Sequence, residues 1–475
     1  MIYLIVIFIY LFILAGIGIY KSRQVKTQQD FAIAGRTLSP WIMVLTMLAV
    51  WIGTGSIVGN AEEAYRTGAA ALIIPFGTFT GMILLSFIAT KARNIEASSV
   101  PEIIGSRFGP VARFLAVIAL IMAYMVIVSY QFNAGGAVIE VISGYTVNKG
   151  TATIIAASFI VVYTMLAGLK SLASMDIVTG TIITVSLLIA FPVLLIKAGG
   201  FTGMRAAYEA MENRTSHMQF WGVYSPVQII NYLLPTFLLV MGDANQYQRI
   251  FASRNARGAK QAVIALVFAA LIIELLIIGS AWIAGSMTPD PANGKYILIY
   301  AAHHHMPFAL GLLFMITVVG IIVSTADSFL LVPATTFIND VYSAYINPKA
   351  SQKKVVFISR ILVLGFGVIA YLVTHAFAET TGFFKKALYA YTIYGSAITP
   401  VLVAALFWKK ATKTGAICSI ATGTVTTLLW GEVIKDRLPS QVAQLDAVLP
   451  AITLSVICLV VVSLFTQRRQ PTGGD

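Results

Sequence analysis

Charge and cysteine are both scarce in this chain. Charged residues make up 11% of its 475 residues, and the two cysteines are Cys418 and Cys458. Both cysteines lie within apolar runs and act there as small hydrophobic residues, so no disulfide framework is implied. The sequence also shows no phosphate-binding loop, metal-ligand spacing or nucleophile elbow. We therefore expect neither an enzyme nor a protein that carries an organic cofactor.

Long apolar runs are what the sequence has in abundance. Hydrophobic residues account for 58% of the chain, and they fall in runs of about twenty residues, the length that an α-helix needs to cross a bilayer. We predict an all-α polytopic membrane protein with about thirteen transmembrane helices and one integral domain over residues 1–475. The predicted spans lie near residues 2–20, 40–60, 70–90, 111–143, 152–169, 174–196, 226–248, 260–285, 308–333, 354–377, 383–408, 413–433 and 447–466.

The net charge of +13 raises the question of a nucleic-acid partner, and the positions of the charges answer it. If the N-terminus is outside, most of the 32 Lys and Arg residues fall in loops that face the cytoplasm, as the positive-inside rule requires. The sequence therefore predicts a multi-pass protein of the cell membrane with its N-terminus outside and its C-terminus in the cytoplasm. The partner implied by the charge is the lipid bilayer, and no nucleic acid is expected.

Two groups of five spans indicate an internal repeat, over residues 40–196 and 226–408. Because five is odd, the second group enters the bilayer in the opposite orientation, which is the geometry of an inverted repeat. The leading span of each group is interrupted, by WIGTGS at residues 51–56 in span two and by Pro235 followed by Gly242 in span seven. Broken helices at that depth indicate a central binding site, although small residues also mediate tight helix packing.

A cluster of oxygen-bearing side chains, VSTADS at residues 323–328, lies inside span nine. Ser324, Asp327 and Ser328 share one helical face through their three- and four-residue spacing. Hydroxyl groups, and carbonyls released by a broken helix, are suitable ligands for a hard monovalent cation, so this face predicts a sodium site. The alternative is that the hydroxyls bond to the preceding turn of their own helix, as they commonly do in membranes.

At these residues the sequence resembles the sodium:solute symporter family, which includes sodium/proline, sodium/glucose and sodium/choline transporters. The likeness covers nearly the whole chain and rests on five motifs, AVWIGTGSIVGNAEEAY, YTMLAGLKSLASMD, GDANQYQRIFASR, VSTADSFLL and YGSAITPVLVAALFW. The resemblance implies a leucine-transporter-type fold that works by alternating access. It also implies a sodium site made of the backbone carbonyls of Ala49, Ile52 and Ile321 and the hydroxyls of Ser324 and Thr325.

Three residues raise the question of a second cation. In some members of the family an aspartate at the position of Asp176 shares a second sodium site with serines of span nine, where this chain has Asp327 and Ser328. The alternative is that Asp176 stabilises the first turn of span six through the helix dipole, with Ser174 as the N-cap. From the sequence, the number of sodium ions stays open between one and two.

The solute is less well defined than the ion. By resemblance, its pocket draws on spans two, four, seven and eleven. Several of the candidate residues are aromatic, and an aromatic box suits a quaternary ammonium group such as that of choline. Amino acids, sugars and small carboxylates remain alternatives. The candidate solute-binding residues are Trp51, Gly53, Gln131, Asn231, Tyr232, Tyr391 and Tyr394.

Glu274 lies near the centre of span eight, in LIIELLII, and an ionisable residue at that depth is a functional candidate. It keeps proton coupling as an alternative to sodium coupling. A channel is a weaker alternative because no repeated pore segment is visible, and a membrane sensor would need an output domain. The sequence therefore predicts a secondary active transporter for a small organic solute, with sodium as its only metal and coupling ion.

Overall fold

The computed structural model describes residues 2–22, 27–95, 97–144, 146–166, 168–376, 382–437, 439 and 444–467. Within these ranges the chain is helical, with short 3₁₀ and π-helical segments between the α-helices and no β-strand. The end of predicted span ten, at residue 377, and the C-terminal residues 468–475 lie outside the described residues. The α-helices are α1 Ile2–Ser22, α2 Gln28–Ile33, α3 Pro40–Trp51, α4 Ala61–Thr67, α5 Pro75–Asn94, α6 Val100–Phe108, α7 Pro110–Ile142, α8 Lys149–Leu166, α9 Leu169–Lys197, α10 Gly200–Glu209, α11 Pro226–Gly242, α12 Ala244–Ala252, α13 Ala256–Ser286, α14 Ile297–His304, α15 Phe308–Phe337, α16 Gln352–Val373, α17 Phe383–Phe407, α18 Lys413–Leu429 and α19 Val448–Gln467.

The predicted spans correspond to helices. Among the described residues, 9 helices are long and apolar enough to cross a membrane, or 10 when a bent pair is counted as one span. The other predicted spans coincide with α1, whose apolar stretch Ile5–Gly18 is shorter, with α5, which is less apolar, and with α18, which has 17 residues. The all-α, multi-pass architecture is therefore confirmed, because a helix of about twenty apolar residues matches the thickness of the hydrocarbon layer.

Helices α7, α15 and α17 form the centre of the molecule. In the most apolar window of α17, 72% of the residues are buried, against 28% in α19 at the periphery. Helix α17 packs on α7 and α11, and α15 packs on α7 and α9. Polar side chains are tolerated in these central helices because protein, rather than lipid, surrounds them.

The predicted interruption of span two is confirmed. Helix α3 ends at Trp51, and the backbone of Ile52 leaves the helical region with φ −74° and ψ 90°. A π-helical segment, Gly55–Asn60, follows before α4 begins. The two halves of the span, Pro40–Trp51 and Gly55–Ile73, are bent by 55°. The break therefore exposes backbone groups in the middle of the molecule.

Span seven is broken after Gly242 and not at Pro235. Helix α11 continues through Pro235 to Gly242, and Asp243 then takes a non-helical conformation with φ −56° and ψ 112° before α12 begins. The prediction that Pro235 interrupts the span was wrong, because a membrane helix tolerates proline where neighbouring groups satisfy the freed backbone carbonyl. The division into two five-helix repeats, residues 40–196 and 226–408, stays a prediction.

Candidate functional site

The candidate cation site lies where the break after α3 faces the middle of α15. The hydroxyl oxygen of Ser324 lies 3.4 Å from the backbone oxygen of Ala49. The hydroxyl oxygen of Thr325 lies 3.4 Å from the backbone oxygen of Ile52. Ile321 is buried one turn earlier on α15. The structure thus brings four of the five predicted sodium ligands together and places the fifth on the adjoining turn.

The spacing of these oxygens suits an ion better than a hydrogen bond. In an O–H···O hydrogen bond the oxygens are roughly 2.7–2.8 Å apart, whereas both pairs here are 3.4 Å apart. Two oxygens that bind one hard cation at roughly 2.4 Å, the distance for calcium, lie roughly 3.4 Å from each other when their directions are perpendicular. Because sodium has a similar radius, the spacing of this all-oxygen set is compatible with a sodium ion.

The carboxylate of Asp176 in α9 lies directly behind Ser324. The Ser324 hydroxyl donates a hydrogen bond to Oδ1 of Asp176 at 2.6 Å. Because a hydroxyl carries one proton, its oxygen presents lone pairs toward Ala49. The hydroxyl of Thr46 donates to Oδ2, and Nη2 of Arg249 lies 3.3 Å from the same oxygen. This ion pair neutralises a carboxylate whose burial alone would be strongly unfavourable.

The predicted second cation residues do not form one oxygen cluster. Nη2 of Arg249 donates to the hydroxyl oxygen of Ser328 at 2.9 Å, so the guanidinium group lies between Ser328 and Asp176. Asp327 instead accepts a hydrogen bond from the hydroxyl of Thr164 in α8 at 2.6 Å. The cation beside two of the three predicted ligands is therefore a side chain of the protein itself.

Arg249 is a residue that the sequence interpretation missed. The predicted end of span seven near residue 248 left Arg249 in a cytoplasmic loop, whereas the structure extends the span to Ala252 and buries the arginine side chain completely. The predicted span ended too early because each polar residue lowers the local mean hydropathy. Arg249 is nevertheless buried, because its ion pair offsets the cost of burial. The available signal was the run DANQYQR, which contains neither proline nor glycine to end a helix.

Part of the predicted solute pocket is assembled around the break. The hydroxyl of Thr54 donates to Oε1 of Gln131, whereas Nε2 of Gln131 is buried and makes no hydrogen bond to a described residue. A methyl group added at Gly53 would lie 3.2 Å from that nitrogen and 2.9 Å from Cγ2 of Thr325. The break therefore contacts Gln131 and the cation site directly.

Trp51, Tyr391 and Glu274 line a small cavity of about 20 Å³. A methyl group added at Gly55 would lie 2.6 Å from the hydroxyl oxygen of Tyr391. The break therefore lies between the cation site, which Gly53 faces, and this cavity, which Gly55 faces. Glu274, for which the sequence indicated no partner, faces the space between the broken span, α13 and α17.

Three of the predicted solute residues lie elsewhere. Asn231 and Tyr232 line a separate, larger cavity of about 770 Å³, where Nδ2 of Asn231 donates to the backbone oxygen of Gln444 at 2.8 Å. The hydroxyl of Tyr394 donates to the backbone oxygen of Gly242 at 2.8 Å, at the break between α11 and α12. The structure therefore does not place these three side chains in the cavity that Trp51 and Tyr391 share.

Comparison by sequence finds a match between residues 31–423 and the sodium:solute symporter family. The osmoregulated proline transporter OpuE of Bacillus subtilis (strain 168) is 24% identical over 477 residues, which cover 97% of this chain and 94% of the relative. The sodium/proline symporter of Haemophilus influenzae (strain ATCC 51907 / DSM 11121 / KW20 / Rd) is 22% identical, with 97% of this chain and 94% of the relative covered. Both relatives are named as transporters.

Comparison by structure finds the same architecture in solved transporters. A sodium-coupled sialic acid symporter, in a substrate-bound outward-open state, matches with a TM-score of 0.81 at 16% identity over 98% of each chain. The nucleobase-cation-symport-1 family transporter Mhp1, in a closed conformation with bromovinylhydantoin bound, matches with a TM-score of 0.60 at 13% identity over 94% of this chain and 96% of Mhp1. These likenesses confirm the predicted leucine-transporter-type fold.

Proposed function

Because the chain belongs to the sodium:solute symporter family, we propose that it couples sodium entry to the uptake of a small organic solute by alternating access. The observation that carries the proposal is the oxygen cluster at the break after α3, where Ser324 and Thr325 face the backbone oxygens of Ala49 and Ile52. Alternating access by a fold of this kind uses an ion site and a solute site beside broken helices. The break here adjoins a candidate for each.

Proline is the solute that we propose first. Relatives that match this chain along nearly its whole length are named as a proline transporter and a sodium/proline symporter. Choline-like compounds, sugars and simple carboxylates come second, because the sialic acid symporter, whose solute is a sugar acid, shares only 16% identity with this chain.

One sodium ion per cycle is the stoichiometry that we propose. The ion would be held by the backbone oxygens of Ala49, Ile52 and Ile321 and the hydroxyls of Ser324 and Thr325. The guanidinium of Arg249 already neutralises Asp176 and binds Ser328, so a second cation there would meet a positive charge within a few ångströms. This repulsion disfavours a second sodium site.

Coupling between ion and solute has a short physical route through residues 53–55. An ion that joins the broken span to α15 stabilises one conformation of the break, and it shifts the population of the protein toward that conformation. Gly53 contacts the cation site, whereas Gly55 contacts Tyr391 in the cavity wall. Sodium binding is therefore expected to raise the affinity for the solute, and the solute raises the affinity for sodium by the same factor.

Transport by purified protein in proteoliposomes tests this function. We expect an inward sodium gradient to drive accumulation of labelled L-proline, and we expect a sodium ionophore, but not a proton ionophore, to abolish it. Accumulation driven by a pH gradient without sodium would show that protons, and not sodium, are the coupling ion. Glu274 would then be the proposed coupling group. Absence of proline uptake under either gradient would contradict proline transport, and absence of any solute uptake would contradict symport. Membrane-impermeant labelling of single cysteines in residues 200–225 tests the proposed orientation, with those residues outside.

A further inference from the structure

Glu274 lies in the wall of the small cavity beside the break. This residue of α13 is 3% exposed, and the cavity has a volume of about 20 Å³ in this structure. The hydroxyl of Ser56 donates to its Oε1 at 2.5 Å, and Nδ2 of Asn60 donates to its Oε2 at 2.9 Å. Both carboxylate oxygens therefore accept hydrogen bonds from neutral groups of the π-helical segment.

No lysine or arginine among the described residues forms an ion pair with Glu274. The four ion pairs within the described part of the chain involve other acidic residues, namely Glu63, Asp340, Asp176 and Asp446. Hydrogen bonds from neutral donors stabilise a buried carboxylate only in part, because the charge itself stays uncompensated at low dielectric. A cation that enters the cavity from outside the chain would supply the missing charge.

The other walls of the cavity indicate what kind of cation fits. Trp51, Phe384 and Tyr391 present aromatic groups, and Ile74, Pro75 and Ala387 present aliphatic surface. Aromatic faces attract organic cations such as substituted ammonium groups, and aliphatic surface accommodates the carbon atoms attached to them. This combination is suited to an organic ammonium compound, because a metal ion does not bind to aromatic or aliphatic walls.

The cavity is also placed where a solute would couple to sodium. Trp51 and Gly55 of the broken span lie in the wall of this cavity. Gly53, which lies between them in the sequence, contacts Thr325 of the cation site. Leu388 lines both this cavity and the larger cavity of about 770 Å³. The larger cavity therefore adjoins the smaller one and offers an approach to it.

We propose that the Glu274 carboxylate binds the cationic nitrogen of the transported solute, so that the substrates are small organic ammonium compounds, amino acids included. The inference rests on the proposed symport function and assigns a solute contact to a helix, α13, outside the four spans predicted to form the pocket. Ser56 and Asn60 position the carboxylate. The cavity of about 20 Å³ must widen before the aromatic side chains surround the substituted nitrogen, as alternating access requires of a solute site. Sugars and acids without such a nitrogen are excluded because they leave the carboxylate unpaired.

The test uses the full-length protein in proteoliposomes with five labelled probes: L-proline, choline, glycine betaine, pyruvate and glucose. We expect sodium-driven uptake of one or more of the three nitrogen cations and none of pyruvate or glucose. Cyclopentanecarboxylate, which has the ring of proline without the nitrogen, should fail to inhibit proline uptake. In Glu274→Gln the half-saturating concentration of a transported cation should rise by roughly ten- to hundredfold, because a charge-assisted contact is lost.

A matched variant and a second measurement separate binding from folding. Glu209→Gln changes an exposed glutamate of α10 and should leave uptake unchanged. Sodium should change the intrinsic tryptophan fluorescence of Glu274→Gln, without solute, at the same concentrations as in the unchanged protein. A variant that keeps this response is folded and has an intact cation site, whereas Glu274→Asp, which keeps the charge, should retain part of the uptake.

The outcomes distinguish this inference from the function on which it rests. Sodium-driven uptake of pyruvate or glucose, inhibition by cyclopentanecarboxylate as strong as that by proline, or unchanged half-saturation in Glu274→Gln would overturn the role of Glu274 and leave symport standing. Uptake of a cation that depends on Glu274 but not on sodium would overturn sodium coupling alone. Failure of all three nitrogen cations to bind or enter would overturn the inference.

Discussion

Two buried carboxylates lie on opposite sides of the break after α3, and they are neutralised differently. Asp176 accepts a hydrogen bond from Ser324 and is paired with Arg249 at 3.3 Å. Glu274 accepts hydrogen bonds from Ser56 and Asn60 and, within the described part of the chain, has no ion pair. The first carboxylate thus has its cation built into the chain, and the second does not.

This difference separates a structural charge from a binding charge. A carboxylate with a fixed guanidinium partner is already neutralised, and Asp176 orients the hydroxyl of Ser324 through a hydrogen bond. A buried carboxylate without such a partner gains most from a cation that arrives with the cargo. In our proposal, the ion is therefore coordinated on the Asp176 side of the break and the solute is recognised on the Glu274 side.

The largest effect is expected from Arg249→Gln. Removal of one partner from a buried ion pair leaves an uncompensated charge, at a cost of about 3–5 kcal/mol. We therefore expect a large loss of folded protein after detergent extraction, measured by size-exclusion chromatography and thermal unfolding. Asp176→Asn in the same chain should recover much of it, and Arg257→Gln, at an exposed arginine, should have no effect. A double variant that is no better folded would show that the ion pair is not what Arg249 contributes.

A smaller and more specific effect is expected from removal of the hydroxyls of the cation site. Ser324→Ala and Thr325→Ala each remove one oxygen ligand and should raise the half-saturating sodium concentration of uptake roughly tenfold, about 1.4 kcal/mol. Thr317→Ala is the matched control on the same helix, because the hydroxyl of Thr317 bonds to the backbone oxygen of Leu313. Sodium activation curves that coincide with that of the unchanged protein in both variants would remove these residues from the site.

The two glycines of the break test whether its sides act separately. A methyl group at Gly53 would press on Thr325, and one at Gly55 would press on the hydroxyl of Tyr391. Gly53→Ala should therefore raise mainly the half-saturating sodium concentration, and Gly55→Ala mainly that of the solute, each roughly three- to tenfold. Gly365→Ala is the control, because a methyl group there meets no atom within 4 Å. If both variants changed the half-saturating concentrations of sodium and of solute equally, the two sides of the break would act as one site.

The smallest effect concerns pH, and it arises in the segment between α10 and α11, away from both carboxylates. Burial lowers the pKa of His217, which lies between α10 and α11, below its ordinary value of 6.5. As the pH falls below 6.5, the unfolded chain therefore takes up the proton first, and stability decreases until the pKa of the folded state is passed. A difference of one in pKa corresponds to about 1.4 kcal/mol.

The variant His217→Gln should remove this part of the pH dependence. Thermal unfolding of the detergent-solubilised protein, measured from about pH 7.5 to about pH 5 on either side of the ordinary histidine pKa, gives the comparison. The unchanged protein should lose stability more steeply than the variant, while sodium-driven uptake at neutral pH stays the same in both. Identical pH profiles would assign the acid sensitivity to other groups.

Much of the fold and one side of the site were accessible from the sequence. The apolar runs predicted the helices, and WIGTGS predicted the break in span two, because two glycines and two hydroxyl residues within six positions oppose a regular apolar helix. The spacing of VSTADS predicted that Ser324 and Ser328 share a face of α15. The break in span seven was predicted less well, because Pro235 is a strong local signal that the tertiary structure overrides.

The partners of the buried charges were not accessible in this way. Arg249 was interpreted as a loop residue, and Glu274 was identified as a candidate without a role. Asn231 was grouped with Trp51 by resemblance, although it bonds to Gln444 in another cavity. Each of these outcomes depends on which helices pack together, and no pattern within a single span contains that information.

The sequence by itself determined that this protein crosses a membrane many times, where its helices lie and where one of them breaks. These properties are sums of local transfer energies and backbone preferences, so a window of about twenty residues is enough to predict them. Only the tertiary structure decided which carboxylate is neutralised by the chain. Asp176 and Arg249 are 73 positions apart, and Ser56 and Glu274 are 218 positions apart, so their electrostatic energies exist only after the helices have packed.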